Sequence, residues 1–413
     1  MKSKQHGKFH IAAAMCVMMC CGIVYLWSAF QEPVIELLQW DPHDAIMISS
    51  SIVFIYLIGA SIGGFVVSAM GAQKAILTGS LLYTAGLLLT SFLIGWGKPW
   101  MICISYGVIT GTGVGFCYSG TINCIQGWMP ERPGLASGLA VCSFGLSSML
   151  LSPYIEWLLS RPAFGAGGIG MTFRVLALTV GLLMIAASLA AKGNPALKND
   201  KADAPALTLQ RQYRPKEALR QPEFWCIACS IFFTPAAYMI IVPLVKTIAF
   251  ARGLSELQAS LTLSLTGIVS AVSRLANSMA SDRFGRTRVV CVLALMTMSA
   301  SLLLIGASGW GYTITVLYLV FAYAGTSGVF PAMCTESFGA RYAGANYGML
   351  LFCIAFSSPF YTKVSELINR DGVYTGDYTL TFIMSACVCI VPLTAMPLYT
   401  YFRKKRLARE NIG

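Results

Sequence analysis

One arginine inside an apolar run is the residue of this sequence best placed to do chemistry. Arg274 lies in the stretch that opens near Leu257, eight residues before Asp282 and the charged turn S-D-R-F-G-R at Ser281 to Arg286. In a helix rising about 1.5 Å per residue, that spacing places its Cα roughly 12 Å inside the helix end. A cation at that depth in a membrane costs on the order of a few kcal/mol unless it faces water or a partner. It either pairs with a neighbouring helix for structure, or lines an aqueous cavity and binds an anion. A guanidinium suits a carboxylate, because its planar fork makes two parallel hydrogen bonds and keeps its proton. The sequence favours the second reading.

Other chemistry is poorly provided for. The fourteen cysteines lie mostly inside apolar runs, as at Cys16, Cys20, Cys21, Cys353 and Cys387, and there are only three histidines. Metal sites need such residues clustered at fixed spacings, so no metal and no cofactor is expected. The cysteines read as small buried hydrophobes. No nucleophile–base pair stands within a span, so no catalytic residue is assigned and an enzyme is disfavoured. The glycine string Gly107, Gly111, Gly113, Gly115 and Gly120 lacks the lysine of a phosphate loop. Small residues at that spacing instead let membrane helices approach closely.

The elements that position Arg274 follow from composition. The chain has 413 residues, 56% hydrophobic and 11% charged, against about 25% charged in soluble domains. A span needs about 20 apolar residues. Twelve spans fit, at about 9–31, 45–69, 75–96, 100–127, 134–159 and 171–191, then about 222–249, 256–280, 288–308, 311–336, 344–367 and 378–402. The first run, Ile11 to Phe30, lacks a small-residue cleavage site and reads as a span rather than a signal peptide. Pro153, Pro235, Pro243, Pro331 and Pro359 are expected to bend spans.

The domain reading is a half at 1–191, a cytoplasmic linker at 192–220 and a second half at 221–413. Lys and Arg gather on alternate connections and on both tails, which places both termini in the cytoplasm of a plasma-membrane protein. The net charge of +12 is therefore a topology signal. The expected surroundings are the lipid bilayer and no nucleic acid.

The halves repeat. Gly134, Gly138, Ser147 and Ser148 recur as Gly344, Gly348, Ser357 and Ser358, and Gly115 and Cys124 as Gly325 and Cys334, all offset by 210 residues. Gly64 and Gly71 align with Ser278 and Gly285 at an offset of 214. Parallel repeats of six spans suit alternating access, with a site near the midplane between halves.

The run from Ser278 to Arg288, S-x-x-x-D-R-F-G-R-T-R, resembles the loop signature of the major facilitator superfamily, with serine for its usual first glycine. The resemblance implies that Asp282, Arg283, Gly285 and Arg286 form a gating loop that latches neighbouring helices. The first-half copy, Gly64 to Lys74, has Ser68 in place of the acid. A narrower set resembles the oxalate/formate antiporter family, which is related to the monocarboxylate transporters. It comprises Tyr25-Leu26-Trp27, Gly111 to Tyr118, Asn123, Trp128 to Gly138, Phe330-Pro331, Asn346-Tyr347-Gly348, and the arginine eight residues before the loop aspartate. In oxalate-carrying members this implies two cations and an aromatic cage. Arg274 and Tyr25 match that pattern, Tyr323 stands for a tryptophan, and Ser327 and Phe144 stand for tyrosines. The second cation, a lysine of the eleventh span, falls on Ile354. One cation cannot neutralise a dianion in a low-dielectric cavity, so a monoanion is expected and oxalate is not.

The sequence thus predicts an all-α membrane protein of twelve helices in two pseudo-symmetric halves, the major facilitator fold. The expected function is secondary transport of small organic anions, monocarboxylates first, by exchange or proton symport. Arg274 carries the charge, Tyr25, Tyr118 and Tyr323 offer hydroxyls, and Phe144 and Ser327 complete the candidate contacts. No acid is clearly placed at the midplane, and Ser270 stands where animal monocarboxylate transporters carry an aspartate, so exchange and symport are not separated. The rival readings are an exporter of neutral or drug-like solutes and a non-transporting anion sensor. The unit of function is expected to be the monomer.

Overall fold

The computed structural model of the protein describes residues 2–161, 168–194, 211–369 and 378–410. Most of the expected linker, 195–210, lies outside the described residues. The described elements are all helical. Numbered by span, they are α1 Lys2–Cys20, α2 Pro42–Met70, α3 Ala72–Leu93, α4 Pro99–Trp128, α5 Pro133–Leu159 and α6 Ile169–Ala190. Then follow α7 Pro222–Phe233, α8 Glu256–Phe284, α9 Arg286–Gly306, α10 Gly309–Phe338, α11 Ala343–Asn369 and α12 Thr379–Val388, which resumes as Ile390–Glu410.

Among the described residues, eleven of these helices, some with the short turns that continue them, are long and apolar enough to cross a membrane. The other is α11, 27 residues long, whose Asn346, Tyr347, Ser357 and Ser358 dilute its apolar character. Large apolar side chains cover outer helix faces, as at Leu303 on α9 and Ile314 on α10, 59% and 66% exposed. Lipid tails solvate such a surface as well as a protein core does.

Three spans are not the continuous helices expected: α12 pauses only at Cys389, and α1 and α7 are interrupted more deeply. α1 tightens into a 3₁₀ turn at Cys21–Tyr25, breaks at Leu26, and restarts as Trp27–Leu38. α7 stops at Phe233, restarts as Ala236–Ile241, tightens again at Val242–Leu244 and ends as Val245–Ala251. Pro235 and Pro243, which lack the N–H a helix needs, lie in the α7 interruptions. Pro153, Pro331 and Pro359 instead sit within α5, α10 and α11. α4 contains a π-helical stretch at Cys103–Thr110.

The chain divides into two compact units. One comprises Met1–Glu131, Ser143–Gln210 and Ala340–Phe352, the other Arg132–Cys142, Arg211–Gly339 and Cys353–Gly413. The N-terminal end of α5 thus belongs with α8 and α10, and the N-terminal end of α11 with α2. The repeated glycines are the reason. In the first unit, a Cβ on Gly64 would lie 2.0 Å from the Gly344 carbonyl oxygen. In the second, a Cβ on Gly138 would lie 2.7 Å from the Ser278 Cβ. The glycine string of α4 works likewise within the first unit, where a Cβ on Gly115 would meet the Ala60 backbone nitrogen at 2.2 Å.

Candidate functional site

α8 carries the candidate cation between two well-defined ends. Its start is a reciprocal cap, Ser255 Oγ accepting from the Gln258 N–H while Gln258 Oε1 accepts from the Ser255 N–H. Its end is Gly285 at φ 90, ψ 142, a conformation that L side chains rarely adopt. No neighbour stands within 4 Å of a Cβ there, so backbone conformation rather than space requires the glycine.

Arg274 sits half-buried on this helix, and its Nη1 donates to the Val141 carbonyl of α5 at 3.2 Å. Its own carbonyl accepts from Ser278 Oγ at 2.5 Å. Two glycines close on the same carbonyl: a Cβ on Gly138 of α5 would lie 3.1 Å from it, and one on Gly328 of α10 3.3 Å. Ser273, one residue earlier, donates to the Phe321 carbonyl of α10. The guanidinium thus grows from a backbone wedged between α5 and α10, so the position of Arg274 is set by close helix packing rather than by its own side chain.

α10 carries the next two candidates. Ser327, adjacent to Gly328, turns its hydroxyl onto the Ala324 carbonyl at 2.7 Å. Tyr323 stacks on Tyr238 of the middle α7 segment, ring centroids 4.0 Å apart. Tyr238 was not expected; it lies three residues after Pro235, in the segment that follows the first interruption of α7.

The remaining candidates lie in the first unit. Tyr118 of α4 and Phe144 of α5 pack edge to face at 5.7 Å, and Tyr56 of α2 completes a three-ring cluster, 6.3 Å from Tyr118 and 5.9 Å from Phe144. Tyr25 closes the 3₁₀ turn of α1. That turn reaches the cluster through its backbone, since a Cβ on Gly22 would lie 3.3 Å from the Phe144 carbonyl.

The loop after α8 forms a second, charged arrangement. Asp282 takes the Gly134 N–H on Oδ1 at 2.9 Å and the Leu135 N–H on Oδ2 at 2.8 Å. These are free donors of the first turn of α5, where a helix end favours negative charge. Arg286, 6% exposed, bridges Asp282 at 2.5 Å and Glu336 of α10 at 2.7 Å through Nη2. Its Nη1 also donates to Ser281 Oγ. Asp282 and Arg286 thus come together across the turn that Gly285 makes. Arg283 does not join them; it is exposed, over the Phe284 ring at 5.6 Å. Glu336 was missed as a partner, because fifty residues of chain separate it from Arg286.

The first-half copy is built alike with weaker parts. Ser68 Oγ accepts the Ala345 N–H of α11 at 3.2 Å. At the two repeat offsets, Ser68 and Ala345 correspond to Asp282 and Leu135. Ala72 stands where the other copy has Arg286.

Residues 11–362 match the model of the Major Facilitator Superfamily. The oxalate:formate antiporter of Oxalobacter formigenes is 22% identical over 91% of this chain and 88% of its own. Monocarboxylate transporter 13 of Bos taurus is 24% identical over 87% of this chain and 79% of its own. Among solved structures, a fucose:proton symporter of E. coli superposes with a TM-score of 0.74 over 94% of this chain and 98% of its own, at 14% identity.

Proposed function

The chain belongs to the major facilitator superfamily, and from that premise we propose that it moves small monocarboxylates across the plasma membrane by alternating access, with Arg274 holding the carboxylate. The protein is a multi-pass membrane transporter of this family and not an enzyme. The finer reading is carried by one observation. A guanidinium stands half-buried on a membrane-length helix, its backbone wedged between two other helices and its Nη1 on a carbonyl oxygen. A carboxylate is a stronger acceptor than that carbonyl and can use two N–H groups at once. Ile354 in place of the second cation of the oxalate carriers supports a monoanion. The oxalate:formate and monocarboxylate carriers among the relatives support the substrate class.

On this reading the hydroxyls of Tyr25, Tyr118, Tyr323 and Ser327 and the ring of Phe144 meet the anion during the cycle, and Asp282, Gly285 and Arg286 bias the cycle by holding the start of α5. The monomer is the transporting unit, in two halves joined by the 192–220 linker, with both termini cytoplasmic.

The test is uptake into proteoliposomes of radiolabelled L-lactate, formate and oxalate, by the wild type, Arg274→Ala and Arg274→Lys. The expected result is uptake of a monocarboxylate by the wild type, none by Arg274→Ala, and partial recovery by Arg274→Lys, which restores charge without the fork. Undiminished uptake by folded Arg274→Ala would remove Arg274 from the site. Uptake of oxalate in preference to the monoanions would overturn the substrate reading.

A further inference from the structure

The interruption of α1 is an apolar stretch, Cys21-Gly22-Ile23-Val24-Tyr25-Leu26, that contains no proline. Gly22 weakens a helix there by about 1 kcal/mol, but nothing in the stretch forbids one. Yet the chain tightens to a 3₁₀ turn, and Leu26 takes φ −101 and ψ 2 with its N–H on the Ile23 carbonyl at 3.0 Å. Such a change replaces the i→i+4 ladder by i→i+3 bonds of poorer geometry, so the carbonyls of the turn gain from further donors. In the hydrocarbon layer each bare group costs several kcal/mol, so a break survives only where the protein supplies partners.

Two buried tyrosines add hydrogen bonds to carbonyls of this turn, the Ile23 carbonyl already holding the Leu26 N–H. Tyr83 of α3 donates its hydroxyl to the Cys20 carbonyl at 3.1 Å, and Tyr106 of α4 donates to the Ile23 carbonyl at 2.8 Å. Both side chains are fully buried. Tyr106 lies within the π-helical stretch of α4, a local widening often found at functional sites. The far side of the break is pinned as well: Trp27 Nε1 donates to the Ala45 carbonyl of α2 at 2.8 Å, and its ring packs on Tyr106 at 5.1 Å. The turn is therefore held at Cys20, at Ile23 and just after Leu26, and Tyr25 lies between the last two. In the other unit a tyrosine does similar work on α7, where Tyr312 of α10 donates to the Val245 carbonyl at 2.8 Å beside the Val242–Leu244 turn.

We infer that Tyr106 and Tyr83 are positioning residues for anion recognition: their hydroxyls hold the α1 turn in place and act through Tyr25. This rests on the reading of Tyr25 as an anion contact. A phenylalanine at either position fills the same volume without reaching a carbonyl, so the hydroxyls are what would be lost.

The experiment is a double-mutant cycle on KM in proteoliposomes, with L-lactate and formate as the probes, using Tyr25→Phe, Tyr106→Phe and the pair. Tyr312→Phe with Tyr25→Phe is the control cycle. Loss of one hydrogen bond predicts a rise in KM of about three- to tenfold for Tyr106→Phe, with Vmax little changed. Positioning through Tyr25 predicts that the pair is no worse than Tyr25→Phe alone, whereas the Tyr312 and Tyr25 effects multiply. A Tyr25–Tyr106 pair whose effects multiply overturns the inference and leaves Tyr25 as a contact. So does an unchanged KM in Tyr106→Phe. An unchanged KM in Tyr25→Phe removes the underlying reading of Tyr25, and the inference falls with it. Should Tyr106→Phe fail to fold, Tyr83→Phe, one turn deeper, carries the same cycle.

Discussion

Replacing Asp282 by Asn tests the charged arrangement at the end of α8. The side chain keeps its shape, loses its charge, and presents an amide where one carboxylate oxygen stood. Of the two backbone donors at 2.9 and 2.8 Å, one keeps a neutral acceptor and the other faces an N–H. A hydrogen bond to a charged group contributes about 1.5–3 kcal/mol and a neutral one about 1. The charge at the α5 N-terminus adds about 0.3–1 kcal/mol. Asp282 is only 16% exposed, so solvent screens little of this. The expected loss is about 2–3 kcal/mol of bias towards the arrangement in which Asp282 holds α5, or 30- to 150-fold in its equilibrium at about 1.4 kcal/mol per factor of ten. A protein held 99:1 by the wild-type contact would become roughly evenly divided. Spin labels at the exposed positions Arg132 and Arg283, in a cysteine-free background, read the separation of the α5 start from the loop. The wild type should give one short distance and Asp282→Asn a second, longer population of comparable weight. An unchanged distribution, with unchanged uptake kinetics, would refute the assignment of the latch to Asp282.

Arg406 of α12 should be as sensitive for a different reason. Its Nε lies 3.1 Å from Glu223, which is 1% exposed, and its guanidinium covers the Tyr213 ring at 4.7 Å. Arg406→Ala leaves that carboxylate buried without a counter-ion, at a cost of about 3–5 kcal/mol, whereas Arg406→Met with Glu223→Gln should recover most of it; melting in detergent measures both. Gly138→Ala drives a methyl against the Ser278 side chain and the Arg274 carbonyl. Overpacking of this kind costs about 1–3 kcal/mol, and here it should also weaken anion binding, seen as a smaller melting-temperature gain on adding lactate. Ser68→Asp places a carboxylate at the start of α11, with Ala72 where the other copy has Arg286. A stabilisation of about 0.3–1 kcal/mol is expected, and denaturation in the presence and absence of salt shows whether it is electrostatic.

The spans and the repeat were legible for one reason: both rest on apolar and small residues whose effect is local. Lipid selects for a run of about 20 apolar side chains whatever lies beside it. Gly64, Gly138 and Gly344 are small because backbone stands against them, so their spacing records the packing. Arg274 and Asp282 stood out in the sequence because charge near or inside an apolar run is costly and uncommon. The interruptions were not equally readable. That of α7 announces itself through Pro235 and Pro243. That of α1 lies in C-G-I-V-Y-L, and the hydroxyls that bond to its carbonyls come from α3 and α4. Glu336 and Tyr238 were missed for the same reason, since each acquires its role from a helix remote in the sequence.

The two copies of this loop show how a repeat diverges without losing its geometry. In both, a residue in the last turn of a helix accepts a backbone N–H from the first turn of another, and both preceding helices end on a glycine near φ 90, Gly71 and Gly285. The repeat therefore retained the backbone arrangement while the acceptor and its surroundings changed. Asp282 brings a full charge, two hydrogen bonds and an arginine tied to Glu336. Ser68 brings one neutral bond at 3.2 Å. A neutral bond and a charged network respond differently to salt and to mutation. A cycle that alternated between two equal copies would lose about as much from disabling either one. In this chain, disabling the Asp282 copy should redistribute the conformations, and disabling the Ser68 copy, as in Ser68→Ala, should scarcely move them. The sequence records that inequality in three substitutions between the repeats: Asp282 against Ser68, Arg286 against Ala72, and Ser278 against Gly64. The first two carry the charge; in the third, Gly64 admits the Gly344 carbonyl, which a Cβ there would meet at 2.0 Å.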